Sequence, residues 1–292
     1  MHRPMEGPET PDMRFLQEAA AAQGIDASGL VIDRIETTTA AGRISALRYG
    51  TSPPRLVALH GGRQNAHTWD LVMASLGIPS LALDLPGHGS SYRPRDYSPR
   101  DLAPSIAEAI SELAPEARTL VGMSFGGMIA LAAAGSLPAI RHVVLVDVSP
   151  GSAVPAASKL PEIRSLGPAT LDDLVAAVAA LSPGRALAPL RHSVFHATRP
   201  WPDTSSDLRT WRADPAMRIG SFTDFWKEMR EQASRLHLII AGRGSFVPDA
   251  DRPPLRSLLE PDRLHEVPGS GHSIQSTRPR ELAHLLKAAH DA

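Results

Sequence analysis

Thr119-Leu120-Val121-Gly122-Met123-Ser124-Phe125-Gly126-Gly127-Met128 is the stretch on which the fold of this chain turns. An apolar run meets a serine set between glycines and continues into an alanine-rich segment ending at Ala134. The run predicts a buried strand, and Gly127–Ala134 predicts a helix. Between them the backbone must turn sharply, which requires small residues two positions before and two after the serine. Gly122 and Gly126 occupy those positions. Such a turn lifts the Ser124 hydroxyl out of the strand and leaves it at a helix N-terminus, whose free N–H groups stabilise developing negative charge. Ser124 is therefore a candidate nucleophile, with an ordinary Gly/Ser turn as the alternative.

The same alternation extends on both sides. Leu56–Leu59, Ser80–Leu83 and Val143–Val146 are further short apolar runs, and Asp101–Leu113 has helical periodicity. Short apolar strands alternating with helices indicate a mostly parallel sheet covered on both faces. Ahead of them, Leu30–Thr38 and Arg43–Tyr49 are expected to pair as a hairpin about an Ala41-Gly42 turn. Phe15–Gln23 predicts a helix inside an N-terminal arm, residues 1–30. From Pro150 to Arg235 the sequence is helical and loop-rich without a strong strand run. Thr170 is placed to cap a helix over Leu171–Leu181, and Ser221 one over Phe222–Ala233. Strands resume at Leu236–Ala241 and Arg263–Val267, and Arg280–Ala288 closes the chain as a helix. The expected organisation is an α/β core over 31–150 and 236–292, interrupted by a helical lid over 151–235.

Two further segments carry chemistry. His60-Gly61-Gly62 directly follows an apolar strand, where the glycines let backbone N–H groups approach a ligand closely. The N–H groups of Gly62 and Phe125 would then form a two-donor oxyanion hole. A serine at neutral pH also needs a base. Of 12 histidines, His272 stands out in Val267-Pro-Gly-Ser-Gly-His-Ser273, between the last strand and the last helix. His60 and His88 are expected to brace loops by hydrogen bonding, and Asp84 to accept backbone N–H bonds.

Taken in order, His60-Gly61-Gly62, Asp84-Leu-Pro-Gly-His-Gly-Ser90, Gly122-Met-Ser-Phe-Gly-Gly127 and Gly269-Ser-Gly-His272 resemble the α/β-hydrolase fold superfamily, in its lid-bearing branch, over about residues 31–290. The resemblance implies the α/β-hydrolase fold and a Ser-His-Asp triad. In most members the acid lies a few residues before a proline in the loop after the seventh core strand. Here that loop reads Ala241-Gly-Arg-Gly-Ser-Phe-Val-Pro248, and Gly244 or Ser245 stands where the aspartate is usual. Other members take the acid from the end of the sixth strand. That position is Asp147 here, and it is the expected acid, with Asp249 and then Asp251 as alternatives that otherwise look like helix caps.

The implied activity is hydrolysis of a small carboxylic ester or lactone through an acyl-enzyme, with no metal or organic cofactor. The same frame also hosts C–C bond hydrolases, cofactor-free oxygenases or lyases, and non-catalytic small-ligand receptors. A dehalogenase is disfavoured because Ser124 stands where its carboxylate nucleophile would be. A formal charge of −1 gives no basic field for nucleic acid, and the absence of cysteine removes thiol and disulfide chemistry. No stretch is a credible membrane span or secretory signal, so a cytoplasmic protein acting on a small molecule is expected. Oligomeric state is left open. Arg185, Arg191, Arg199, Arg209, Arg212 and Arg218 give the lid a positive bias, and Phe195, Trp201, Trp211, Phe222, Phe225 and Trp226 supply pocket or lid-core aromatics.

Overall fold

In a computed structural model, residues 13–152, 167–181, 185–202 and 207–292 are described. β3 (Leu56–Leu59), β4 (Ser80–Leu83), β5 (Thr119–Met123) and β10 (Leu236–Ala241) are buried at every position, and β6 (His142–Val146) at all but its first. Continuous burial is what a parallel strand covered on both faces demands. With β1 (Ile32–Thr39), β2 (Gly42–Tyr49) and β11 (Leu264–Val267) they form one sheet in the order β1-β2-β4-β3-β5-β6-β10-β11. The β1–β2 and β2–β4 pairs are antiparallel and the others parallel. The hairpin register pairs Thr39 with Gly42, so the turn is Ala40-Ala41, one residue earlier than the composition suggests.

The period-2 alternation of strands divides the core between the two faces. Val57, Leu59, Leu81 and Leu83 pack with α3 (Pro99–Leu113) and α4 (Phe125–Ala134). Leu56, Ala58, Ala82 and Val121 face the other way, toward Trp69, α2 (Asp70–Leu76) and the C-terminal helix α9 (Pro279–Asp291).

Between β6 and β10 lies the insertion. Its helices α5 (Leu171–Leu181) and α6 (Leu187–Ala197) form a small apolar cluster through Leu174, Val175, Leu190 and Val194. Thr170 Oγ1 accepts from Asp173 N at 3.2 Å, the capping bond its position anticipates. The expectation of no strands here needs correction. β7 (Ala169–Thr170), β8 (Thr198–Pro200) and β9 (Leu208–Trp211) form a separate antiparallel sheet in the order β7-β9-β8. At two to four residues, these strands are too short to show an alternation in sequence. The helix expected over Phe222–Ala233 begins later, as a 3-10 turn at Thr223–Phe225 followed by α7 (Trp226–Gln232). Residues 153–166, 182–184 and 203–206 of the expected lid, and 1–12 of the expected arm, lie outside the described residues.

Among the contacts that tie the insertion to the rest of the chain are an aromatic pair and a buried polar knot. The N-terminal helix α1 (Met13–Ala21) places the Phe15 ring 4.7 Å from that of Phe195 on α6. Deeper, the buried Asp70 carboxylate accepts from Tyr49 Oη at 2.5 Å and lies 2.9 Å from both His67 Nδ1 and His192 Nε2. Burial pushes the Asp70 pKa up, but His67 and His192 outweigh it and hold the carboxyl far below its ordinary range. His192 belongs to α6, so this knot anchors the insertion from inside.

Candidate active site

Ser124 joins β5 to α4 with φ 51° and ψ −121°, a left-handed conformation that side-chain-bearing residues rarely adopt. Close approach of backbones explains its glycine neighbours. A Cβ at Gly122 would lie 2.3 Å from Gly126 O, and one at Gly126 would lie 2.4 Å from His60 O. Neither obstacle is a side chain that can swing away, so both sites admit only glycine. Phe125 is the first residue of α4, where no intrahelical acceptor serves its N–H. Gly62 abuts it: a Cβ there would sit 3.7 Å from Phe125 Cβ and only 2.4 Å from Ile219 Cδ1.

β5 and β6 run parallel with Met123 paired to Val146. The next residues, Ser124 and Asp147, therefore stand side by side at the sheet's C-terminal edge. Asp147 also has φ 51°, and its N–H donates to Ile239 O on β10 at 2.8 Å. Its fully buried carboxylate meets four donors. Oδ1 accepts from Ala241 N at 2.9 Å and Ser245 Oγ at 2.5 Å; Oδ2 accepts from Phe246 N at 3.1 Å and lies 2.7 Å from His272 Nδ1. Because a carboxylate only accepts, Nδ1 carries the proton and Nε2 keeps its lone pair. Burial pushes the Asp147 pKa up, but the hydrogen bonds from His272, Ala241 and Ser245 hold it below its usual value. The Phe246 ring stacks on the His272 imidazole with centroids 3.6 Å apart and planes 8° from parallel.

The alternative acids point elsewhere. Asp249 is fully exposed and pairs with Arg252 at 3.2 Å. Asp251 accepts from Ser149 Oγ at 2.6 Å and Gly151 N at 2.8 Å. Capping is not the role of either, since α8 (Arg252–Leu258) has no side-chain cap bond from Asp251, and a 3-10 turn over Asp249–Asp251 precedes it. Ser245, one of the two positions where the resemblance would put the usual acid, donates instead to Asp147.

The loop histidines brace as expected. His60 Nε2 accepts from Leu85 N at 3.0 Å and its Nδ1 lies 2.8 Å from Gly61 O; burial lowers its pKa to about 4, against the opposing pull of the Gly61 carbonyl and Asp84. His88 Nε2 accepts from Arg63 N at 2.8 Å. Asp84 accepts from Ala66 N and Ser90 N and pairs with Arg34 at 2.9 Å. Burial pushes its pKa up, but Arg34 and these N–H groups bring it down to about 2.

Ser124, His272, Gly61 and Gly62 open into one cavity of about 410 Å³. Its far walls come largely from the insertion: Val178, Leu190, Val194, Trp211, Met217 and Ile219. Of the six aromatics singled out in the lid sequence, only Trp211 lines it. Phe222 and Phe225 pack into the main core, and Trp201 is exposed. Phe246, outside the lid, is the aromatic nearest the chemistry. Among the described residues, His67, Asp70 and His196 bring possible metal-ligand atoms within 4.8 Å of one another. The His67 and His196 rings, however, are stacked at 3.6 Å and 16°, so their in-plane lone pairs lie in separate planes and do not converge on one ion.

Residues 56–285 match the Alpha/beta hydrolase family. The chain is 36% identical to the esterase Rv0045c of Mycobacterium tuberculosis over 96% of each chain. A solved structure of that esterase superposes with a TM-score of 0.84 at 34% identity, covering 97% of this chain and 99% of that one. The thioesterase domain of the curacin biosynthetic pathway shares the fold, with a TM-score of 0.71 at 19% identity over 88% of this chain and 99% of that domain.

Proposed function

The chain belongs to the alpha/beta hydrolase family, and on that premise we propose that it hydrolyses a small-molecule carboxylic ester or lactone with Ser124 as nucleophile, His272 as base and Asp147 as acid. Supporting this most directly is the hydrogen bond between His272 Nδ1 and Asp147 Oδ2 at 2.7 Å, in a cavity that Ser124 and His272 share. Asp147 fixes the tautomer that leaves Nε2 free to take the serine proton. Ser124 Oγ attacks the carbonyl carbon, and the N–H groups of Gly62 and Phe125 receive the charge that develops on its oxygen. His272 then passes the proton to the leaving alkoxide. In the second half it deprotonates water, which attacks the acyl-enzyme and returns Ser124 as the acid departs.

The insertion serves as the lid, its apolar side chains enclosing the part of the substrate remote from the carbonyl. No helix among the described residues is long and apolar enough to cross a membrane, and the proposal takes the substrate to be a dissolved molecule met in the cytoplasm. The test is a panel of p-nitrophenyl esters of increasing acyl length with several lactones, assayed with the wild type and Ser124→Ala. Turnover by the wild type and its loss in the variant are expected; undiminished turnover in Ser124→Ala overturns the serine mechanism.

A further inference from the structure

The charge inside the cavity is unbalanced. Arg63, Arg185 and Arg218 line it, and among the described residues no aspartate or glutamate does. Several arginines elsewhere pair with carboxylates, Arg34 with Asp84 at 2.9 Å, Arg48 with Asp33 at 2.8 Å and Arg55 with Glu116 at 2.8 Å. The three cavity arginines have no such partner among the described residues. Arg63 Nη2 donates to the Met217 carbonyl at 3.2 Å, and Arg218 Nη1 donates to the Pro215 and Met217 carbonyls at 2.9 and 3.0 Å. Arg185, half-buried between α5 and α6, has neither a hydrogen bond nor an ion pair there. Burial pushes the Arg185 guanidinium down, and burial together with neighbouring Arg218 does the same to Arg63.

A partly desolvated cation without a counter-charge is costly, and the cost is relieved when a ligand supplies the anion. The backbone repeats the point. Arg63 follows the Gly61-Gly62 loop directly and is held at φ 64°, a conformation that only Ser124 and Asp147 among the other non-glycine described residues share. Its N–H is fixed by His88 Nε2. The loop thus carries strain while presenting a guanidinium beside the oxyanion-stabilising backbone.

Resting on the ester-hydrolase reading, we propose that the substrate is an acidic ester, one bearing a carboxylate besides the bond cleaved, and that Arg185, with Arg63 and Arg218, binds that carboxylate. Guanidinium forks match a carboxylate in two-point geometry. The backbone N–H cradle at a helix N-terminus that favours phosphate is here already given to the oxyanion, at Phe125. The remaining wall is apolar, from Val178, Leu190, Val194 and Trp211, and suits a short hydrocarbon spacer between the two ends.

The test compares kcat/KM for ethyl hexanoate with two acidic esters, monoethyl glutarate (charge on the acyl side) and 4-butanoyloxybutanoate (charge on the alcohol side), by pH-stat titration. The wild type is expected to prefer at least one acidic ester by roughly tenfold or more, the scale of one charge-assisted hydrogen bond. Arg185→Met should erase most of that ratio, Arg185→Lys should keep part of it, and added salt should shrink it. Binding of glutarate to Ser124→Ala by calorimetry, with and without Arg185→Met, reads the same site without turnover. If ethyl hexanoate is hydrolysed in a Ser124-dependent way but neither acidic ester is preferred, the inference falls and ester hydrolysis stands. If no ester is turned over, the reaction reading fails, and Arg185-dependent glutarate binding still upholds the anion site while its absence overturns it.

Discussion

Replacing Asp147 by asparagine keeps the shape of the side chain and removes only its charge and half its acceptors. In the native site all four contacts of Asp147 are donors, two backbone N–H groups, the Ser245 hydroxyl and His272 Nδ1. An asparagine offers one accepting oxygen and one donating NH2, so one side must face donor to donor. If the NH2 faces His272, Nδ1 can only accept, the ring proton moves to Nε2, and the lone pair that should deprotonate Ser124 is gone. If it faces Ala241 and Ser245, a buried N–H is left unpaired, costing about 1–3 kcal/mol of stability. Loss of the correct tautomer in a serine triad costs about 10⁴-fold in kcat, or about 5 kcal/mol in barrier. Asp147→Asn is therefore expected to lose about three to four orders of magnitude in kcat on a p-nitrophenyl ester, with KM changed little, while remaining folded by circular dichroism. The site also predicts a rescue. Ser245 Oγ already sits 2.5 Å from Asp147 Oδ1, so an aspartate at 245 brings a carboxylate to the same spot from the neighbouring loop. Asp147→Asn/Ser245→Asp should regain at least about tenfold of the lost kcat. A folded Asp147→Asn variant retaining more than about a tenth of wild-type kcat would refute the assignment of the acid and the tautomer argument with it.

Four other outcomes follow from the same geometry. Phe246→Ala removes the ring stacked on His272, and kcat should fall about 3- to 10-fold with a stability loss near 1 kcal/mol; equal loss in kcat and in unfolding midpoint across a temperature series would mean the ring only packs. Gly126→Ala forces a Cβ to 2.4 Å from His60 O, so the protein should be insoluble or destabilised by more than about 3 kcal/mol in urea titration. Asp70→Asn breaks the knot of Tyr49, His67 and His192, at a cost of about 3–5 kcal/mol seen as a lower Tm; an unchanged Tm would show that α6 is held otherwise. His60 has a pKa of about 4 when folded, against an unfolded value near 6.5, so as pH falls below about 6.5 the unfolded chain takes up the proton first. His60 should then account for a decline of about 2–3 kcal/mol between pH 7 and 4.5, to which His237, likewise lowered to about 4 by burial, adds, ahead of any loss through Asp84, whose pKa of about 2 keeps its contribution intact until the pH drops below the unfolded carboxylate value near 3.8. A flat urea midpoint over pH 7 to 4.5 contradicts this.

The parts of the site legible in the sequence are those where local backbone geometry leaves a residue no choice. The glycines flanking Ser124 meet backbone oxygens, so the turn is written in the chain itself; the buried strands are written in their unbroken apolar runs. Asp147 stands out in the sequence for the opposite reason: Gly244 and Ser245 carry no carboxylate, so the aspartate at the strand end is the expected partner of His272, and its Oδ2 lies 2.7 Å from His272 Nδ1. What sequence did not reveal depends on contacts between distant segments. Ser245 carries no acid and gives no signal in the sequence, yet its hydroxyl is one of the donors that the buried Asp147 carboxylate meets. Phe246 carried no periodic or motif signal; only the fold brings its ring onto His272. The β7-β9-β8 sheet escaped because strands of two to four residues have no period to detect.

The contacts of Asp147 follow from the order of the strands. β5, β6, β10 and β11 lie side by side, and their C-terminal ends carry Ser124, Asp147, the Ser245–Phe246 loop and the His272 loop in that sequence. An acid on the β10 loop would meet the histidine from the adjacent strand. Asp147 is one strand further away, so its carboxylate must pass over the end of β10, and the site is built for that crossing. The left-handed backbone at Asp147 turns the side chain sideways, and Ala241 N and Phe246 N, on either side of the β10 loop, receive it. Ser124 and Asp147 thus share one device, φ 51° at the ends of adjacent parallel strands, used once to expose a hydroxyl and once to carry a charge across a neighbour. The strain is held by main-chain bonds that do not depend on either side chain, Ser124 N to Val146 O and Asp147 N to Ile239 O. That is why Ser124→Ala and Asp147→Asn are expected to separate catalysis from folding, whereas changes at Gly122 or Gly126 cannot.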